Sequence, residues 1–130
     1  MLDHLADDVS DLDRSRRFYA AALAPLGYVV TRAGAAAVGF GVAAGEGRSR
    51  DPGGDFRIAV GASPAPHIHF AVSASSRAAV DTFFAAALAA GGVDNGRPGL
   101  RPRYHEHYYA AFVIDPDGYN IEAVCHAACD

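Results

Sequence analysis

The chain contains no lysine, so all eleven of its basic residues are arginines. This absence excludes Schiff-base chemistry on a lysine amine. Glutamate is also scarce, with Glu46, Glu106 and Glu122 as the only three. The net charge of −4 argues against nucleic acid or an anionic membrane as the main partner. Since no apolar run is long enough to cross a bilayer and the acidic N-terminus lacks a signal-peptide pattern, we expect a cytoplasmic protein.

The two cysteines, Cys125 and Cys129, lie close together at the end of the sequence. Their spacing matches neither a zinc knuckle nor a disulfide framework, so we interpret both as free thiols in a reducing compartment. The 130 residues, just over half of them hydrophobic, suffice for a sizeable core. We therefore expect a single domain, residues 1–130.

The strongest pattern is an internal repeat. Three segments of the first half recur in the second half in the same order, with shifts of 65, 63 and 64 residues. The pairs are FYAAALAPLGY at 18–28 with FFAAALAAGGV at 83–93, HLADDV at 4–9 with HIHFAV at 67–72, and GDFRIAV at 54–60 with GYNIEAV at 118–124. The repeat predicts two related modules, residues 1–61 and 65–126.

Each copy has the pattern of a strand, a helix and further strands. The pattern predicts the first helix to begin at 10–13 and the second to span about 75–91, followed by a segment rich in glycine, proline and arginine. The predicted strands are 3–9, 28–32, 35–42, 55–60 and 66–72, with a hairpin at the end that turns at DPDG. We therefore expect an α+β fold, in which two βαβββ modules form a curved mixed sheet around a cavity.

Glu122 has a setting that the other glutamates lack. It lies between apolar residues of the last predicted strand, where a buried carboxylate must be paired or bound to a metal. His4 and His67 hold equivalent positions in the repeat, on the first strand of each copy. Two imidazoles and one carboxylate suit a divalent transition metal with open positions for water or substrate. The alternative is a set of packed histidines and a solvated carboxylate.

These motifs resemble the vicinal oxygen chelate superfamily, which includes glyoxalase I, extradiol dioxygenases, fosfomycin-resistance transferases and bleomycin-resistance proteins. The similar segments are DHLADDVSDLDRSRRFYAAALAPLGY, HIHFAV and AFVIDPDGYNIEAV. The resemblance implies paired βαβββ modules around a U-shaped cavity, and it carries the metal-ligand roles onto His4, His67 and Glu122. It also implies a divalent cofactor (Zn, Fe, Mn or Ni), a small-molecule substrate and a homodimer, with the site either within one chain or across two.

The resemblance departs from glyoxalase I at one position. There, a second glutamate from the first module completes the metal site, whereas the repeat aligns Ile58 with Glu122. Arg57 and Ala59 flank Ile58, and Asp55 is out of register. The three-donor set is more similar to that of the transferases and dioxygenases.

Further candidate residues come from His69 and from the segment LRPRYHEHYY at 100–109. Beside a metal, a histidine or tyrosine can serve as general acid or base, and an arginine can hold an anionic substrate. A polar surface loop is the alternative for the segment, and packing is the alternative for His69, whose counterpart in the repeat is Ala6. The catalytic candidates are His69, His105 and Tyr108, and the substrate-binding candidates are Arg57, Arg103, His107 and Tyr109.

The sequence leaves two functions open. The first is a metal-dependent enzyme of lyase or isomerase, thiol transferase or dioxygenase type. The second is a metal-free small-molecule or antibiotic-binding protein of the bleomycin-resistance kind, which the many tyrosines and phenylalanines would suit. A purely structural domain would leave Glu122 and the paired histidines unexplained.

Overall fold

Capping side chains define where both helices begin. Asp11 is the N-cap of α1 (Leu12–Leu23), and Ser76 is the N-cap of α2 (Arg77–Ala89). Each cap accepts a hydrogen bond at 3.0 Å from the backbone N–H three residues further on. Within the described part of the chain, no helix is long and apolar enough to cross a membrane.

Eight strands form two four-stranded sheets in the computed structural model, which describes residues 2–128. The first sheet has the order β1-β4-β3-β2 and the second has the order β5-β8-β7-β6. This arrangement confirms the α+β fold of two βαβββ modules. The strands are β1 (Leu5–Val9), β2 (Val29–Ala33), β3 (Ala37–Gly41), β4 (Phe56–Val60), β5 (His69–Ser73), β6 (Val93–Leu100), β7 (Tyr109–Ile114) and β8 (Asn120–Cys125).

Strand β6 forms in the glycine- and proline-rich segment, for which the sequence predicted no strand. It pairs only with β7, and its register shifts on both sides of Gly96. Pro98 is tolerated because an edge strand does not need every N–H for a neighbouring strand.

The two modules share one hydrophobic core between the helices and the inner faces of the sheets. Two tyrosines connect the modules across this core. Tyr19 of α1 donates to the Asp115 carboxylate at 2.5 Å, and Tyr119 donates to the Asp8 carbonyl at 2.7 Å. Cys125 is buried and free at the end of β8, as expected, whereas Cys129 lies outside the described residues.

The N-caps Asp11 and Ser76 are 65 residues apart, as are the last residues of β4 and β8, so we use this one shift for both modules in place of the shifts of 63 and 64. In the first module Leu5 of β1 pairs in parallel with Phe56 of β4, and in the second Phe70 of β5 pairs with Ile121 of β8. His4 therefore corresponds to His69 rather than His67. By the same shift, the counterpart of Glu122 is Arg57 rather than Ile58, which is fully buried in the core.

Asp7 places a carboxylate on the buried face of β1. It is only 7% exposed, and its Oδ2 atom has no hydrogen-bond partner. Burial, together with the negative charges of Asp115 and Asp8, raises the pKa of Asp7 from 3.8 to about 6. Because the folded protein binds this proton more tightly than the unfolded chain, the contribution of Asp7 to stability falls as the pH rises from about 4 to 6.

We predict that Asp7→Asn raises the free energy of unfolding at pH 7 by about 1–2 kcal/mol, because it removes an ionised carboxylate from the core. Urea unfolding at pH 7 and pH 4.5 measures the effect, which should shrink at the lower pH. Asp8→Asn, at the exposed neighbouring position, is the control and should change stability little. A loss of stability at pH 7 in Asp7→Asn would contradict this account.

Candidate functional site

Glu122 lies at the centre of the second sheet and faces away from the helices. Its neighbours Ile121 and Ala123 belong to the core, so the alternation of the strand turns Glu122 to the opposite face. It is only 2% exposed, yet both carboxylate oxygens have partners. Tyr108 donates its hydroxyl to Oε1, and Nε2 of His69 lies 3.0 Å from Oε2.

The ring of His69 is held between two oxygen acceptors. Its Nδ1 atom lies 3.0 Å from the carbonyl oxygen of Asn120, which can only accept a hydrogen bond. A neutral ring therefore carries its hydrogen on Nδ1, and its Nε2 lone pair then faces the Glu122 carboxylate. Two acceptors at this distance repel each other unless a proton or a cation lies between them. Histidines that bind metals commonly donate their other ring N–H to a carbonyl in this way.

Tyr108 is fixed on the other side of Glu122. Burial, followed by the hydrogen bond to Glu122 and its charge, raises the pKa of Tyr108 to about 12, so the phenol keeps its proton. His105 and His126 pack edge-on against its ring, with centroids 5.4 and 5.3 Å away. His105 accepts the His107 N–H at Nδ1, and its Nε2 lies 2.8 Å from Nδ1 of His126. These histidines therefore position Tyr108 rather than face Glu122.

A cavity of about 340 Å³ opens next to His69 and Phe112, the two neighbours of Glu122. His69 lines it together with Phe112, the direct cross-strand neighbour of Glu122. Asn120 and Asn95 meet along one wall, with a side-chain hydrogen bond of 3.1 Å. The remaining lining residues include Gly96, Arg101, Arg103 and Tyr104.

His4 lies elsewhere, just before β1 in the first module. Its side chain is about half exposed, and its Nδ1 atom is 2.8 Å from Asp3 and 3.7 Å from Asp51. It lines a separate cavity of about 420 Å³ with Tyr28, Asp55 and two arginines, Arg48 and Arg50. Among residues 2–128, Asp3, His4 and Asp51 are the one group of three that brings metal-binding side chains together.

Among the described residues His67 does not contact Glu122, and its role as a metal ligand stays a prediction. β5 begins at His69, so His67 lies in the preceding turn. Its Nε2 atom is 2.9 Å from the Ser63 carbonyl oxygen, and its ring packs edge-on against Tyr119.

The other predicted residues divide between the cavity and the rest of the molecule. Arg103 lines the cavity, and its role in substrate binding stays a prediction. Tyr109 does not, since it donates to Asp81 of α2 at 2.7 Å on the opposite face of β7. Nε2 of His107 lies 3.3 Å from Oε1 of Glu106. Arg57 is exposed on β4. Sequence reasoning gave Arg101 no assigned role, although it belongs to the same segment as Arg103.

The sequence matches the family model of the Glyoxalase/Bleomycin resistance protein/Dioxygenase superfamily over residues 1–123. Comparison with curated proteins finds no match.

Solved structures of this superfamily have the same fold. A glyoxalase/bleomycin resistance protein from Albidiferax ferrireducens T118 is 30% identical, with a TM-score of 0.76, over 96% of this chain and 98% of that one. A glyoxalase-related enzyme from Fulvimarina pelagi is 17% identical, with a TM-score of 0.69, over 96% and 87% of the two chains. An E144Q glyoxalase I mutant from Zea mays is 21% identical, with a TM-score of 0.66, over 95% and 46%.

We predict that Tyr108→Phe lowers the free energy of unfolding by about 1–2 kcal/mol, because it removes a hydrogen-bond donor from a buried carboxylate while keeping the ring. Chemical unfolding monitored by circular dichroism measures the loss. Tyr104→Phe, at a half-exposed ring that packs at a tilt against Tyr108, is the matched control. Equal stability of the two variants would show that the Tyr108 hydroxyl is not needed by Glu122.

Proposed function

Because the chain belongs to the glyoxalase/bleomycin resistance protein/dioxygenase superfamily, we propose that it is a metal-dependent enzyme acting on a small substrate that chelates the metal through two oxygens. The observation that carries this proposal is the pair formed by His69 and Glu122. Nε2 of His69 lies 3.0 Å from a buried carboxylate oxygen of Glu122, and imidazole nitrogens and carboxylate oxygens are both ligands of divalent transition metals.

The donor set that we propose is His4, His69 and Glu122. His69 replaces His67 because it corresponds to His4 in the repeat and because it contacts Glu122. Arg57 takes the position that a fourth ligand would occupy by the same symmetry. Since a guanidinium cannot bind a metal, the set has three protein donors and leaves positions for the substrate.

We further propose that each site forms between two copies of the chain. His4 and Glu122 lie in different parts of one chain. Within residues 2–128 they do not belong to a common group of metal-binding side chains. β1 and β5 are both edge strands, paired only with β4 and β8. A homodimer would cover these open edges and bring the first module of one copy to the second module of the other.

Zn, Fe, Mn or Ni would suit the donors, and the bound ion would stabilise negative charge on a substrate oxygen as a Lewis acid. Tyr108 holds its proton at neutral pH and keeps Glu122 oriented. The Asn120 carbonyl fixes the ring of His69. Lyase or isomerase, thiol transferase and dioxygenase reactions all fit this arrangement.

A second candidate function is metal-free binding of a small molecule. An apolar cleft of about 410 Å³ between the modules supports it. Leu5, Tyr28, Phe56 and Phe70 line this cleft, with Asp55 at its edge. Such a protein would bind its ligand equally well in the presence of a chelator.

We predict about one equivalent of a divalent transition metal per wild-type chain after loading, measured by elemental analysis of the purified protein. Glu122→Gln and His69→Gln should each lose most of this metal, because each removes one protein donor. His67→Gln is the matched control and should retain it. Equal metal content in all variants, or none in the wild type, would contradict the proposal.

Mixing two variant chains tests whether the metal site forms between two copies of the protein. We predict that His4→Gln and Glu122→Gln, each unable to retain metal alone, together recover about one quarter of the wild-type metal after unfolding and refolding as a mixture. The reason is that half of the dimers combine both variants, and each of these has one intact site. No recovery, with folded mixed dimers present, would show that the site lies within one chain.

A further inference from the structure

Arg101 is held rigidly at the wall of the cavity beside Glu122. Its Nη2 atom donates to the Arg97 carbonyl at 2.6 Å, and its backbone N–H donates to the Tyr108 carbonyl at 2.7 Å. The guanidinium carbon lies 5.6 Å from the centre of the Phe112 ring. The side chain is therefore ordered before any ligand arrives, which lowers the entropy cost of binding.

Two glycines of β6 make room for this guanidinium. A Cβ atom at Gly99 would come within 3.1 Å of Nη1, and one at Gly96 within 3.4 Å of Nη2. A Cβ at Gly96 would also come within 2.9 Å of the Phe112 ring. The glycine-rich composition of the strand thus lets the planar group lie against the sheet and above the aromatic ring.

The positive charge of this wall has no acidic partner among residues 2–128. Within the described residues, neither Arg101 nor Arg103 forms an ion pair with a carboxylate. Arg103 donates to the Tyr104 hydroxyl at 3.1 Å and packs over its ring. The carboxylate of Glu122 is already bound by Tyr108 and His69, so it does not pair with either arginine. Two unpaired guanidinium groups therefore border a cavity whose other walls are aromatic or amide.

We propose that the substrate of this site is a small carboxylate with a flat apolar body. Arg101 would bind the carboxylate through its free N–H groups, with Arg103 adding positive charge at the rim. The body would lie along Phe112, with its far end towards His69 and Glu122. The volume of about 340 Å³ is at the lower end for ligand pockets, which favours a molecule of the size of benzoate. This inference rests on the proposed function for the reaction that follows binding. The binding of the carboxylate to Arg101 does not itself require a metal.

Benzoate and its neutral isostere benzamide are the probes, titrated into the full-length protein and followed by NMR through the side-chain amide of Asn95. We expect benzoate to shift this signal and to bind about ten- to hundredfold more weakly to Arg101→Gln. Arg101→Lys should keep part of the affinity, since it retains the charge but not the planar fork. Arg16→Gln, which removes the same charge from the exposed face of α1, should bind benzoate like the wild type.

Two results would overturn the inference. One is equal binding of benzoate and benzamide. The other is benzoate binding that Arg101→Gln leaves unchanged. Tighter binding of phenylphosphonate than of benzoate would refute the choice of a carboxylate. Repeating the titration with Glu122→Gln separates the two proposals: loss of metal with Arg101-dependent benzoate binding intact supports both, whereas Arg101-independent binding sinks only this inference.

Discussion

The parallel pairing of the first and last strands in each module is the constraint on which the rest of the structure depends. It brings Ala71 of β5 beside Glu122 of β8, so that His69, two residues earlier on the same face, reaches the carboxylate. A slip of one residue would turn Glu122 into the core and expose Ile121 or Ala123 in its place. The core itself resists such a slip, since it would have to accept a charge.

The setting of Glu122 is the reason why we place the proposed site on this face. An ionised carboxylate that is almost fully buried is costly unless its oxygens are bound. Here Tyr108 and His69 bind them from opposite sides, and a second layer holds each partner: the Asn120 carbonyl behind His69, and His105 with His126 around Tyr108. Layered support of this kind keeps functional side chains in one geometry.

The two modules share one arrangement of strands but carry different residues at equivalent positions. Equivalent positions hold His4 and His69, but Arg57 stands where the second module has Glu122. In the first module, Gly39 pairs with Arg57 and is covered by the chain at Gly53, whereas the corresponding face of the second module stays open as a cavity. The second module thus has a buried carboxylate where the first module has an exposed guanidinium.

The sequence by itself determined the α+β fold, the βαβββ repeat and the start of the first helix at 10–13, because each depends on local patterns or on the repeat. It failed at β6, where pairing with β7 overrides a weak local preference. Only the tertiary structure shows that His69, and not His67, contacts Glu122. Alternation puts both on one face, but it does not tell where the strand begins, and the Ser63 carbonyl captures His67 in the turn before it. The register of long-range strand pairs decides such questions, and no local pattern encodes it.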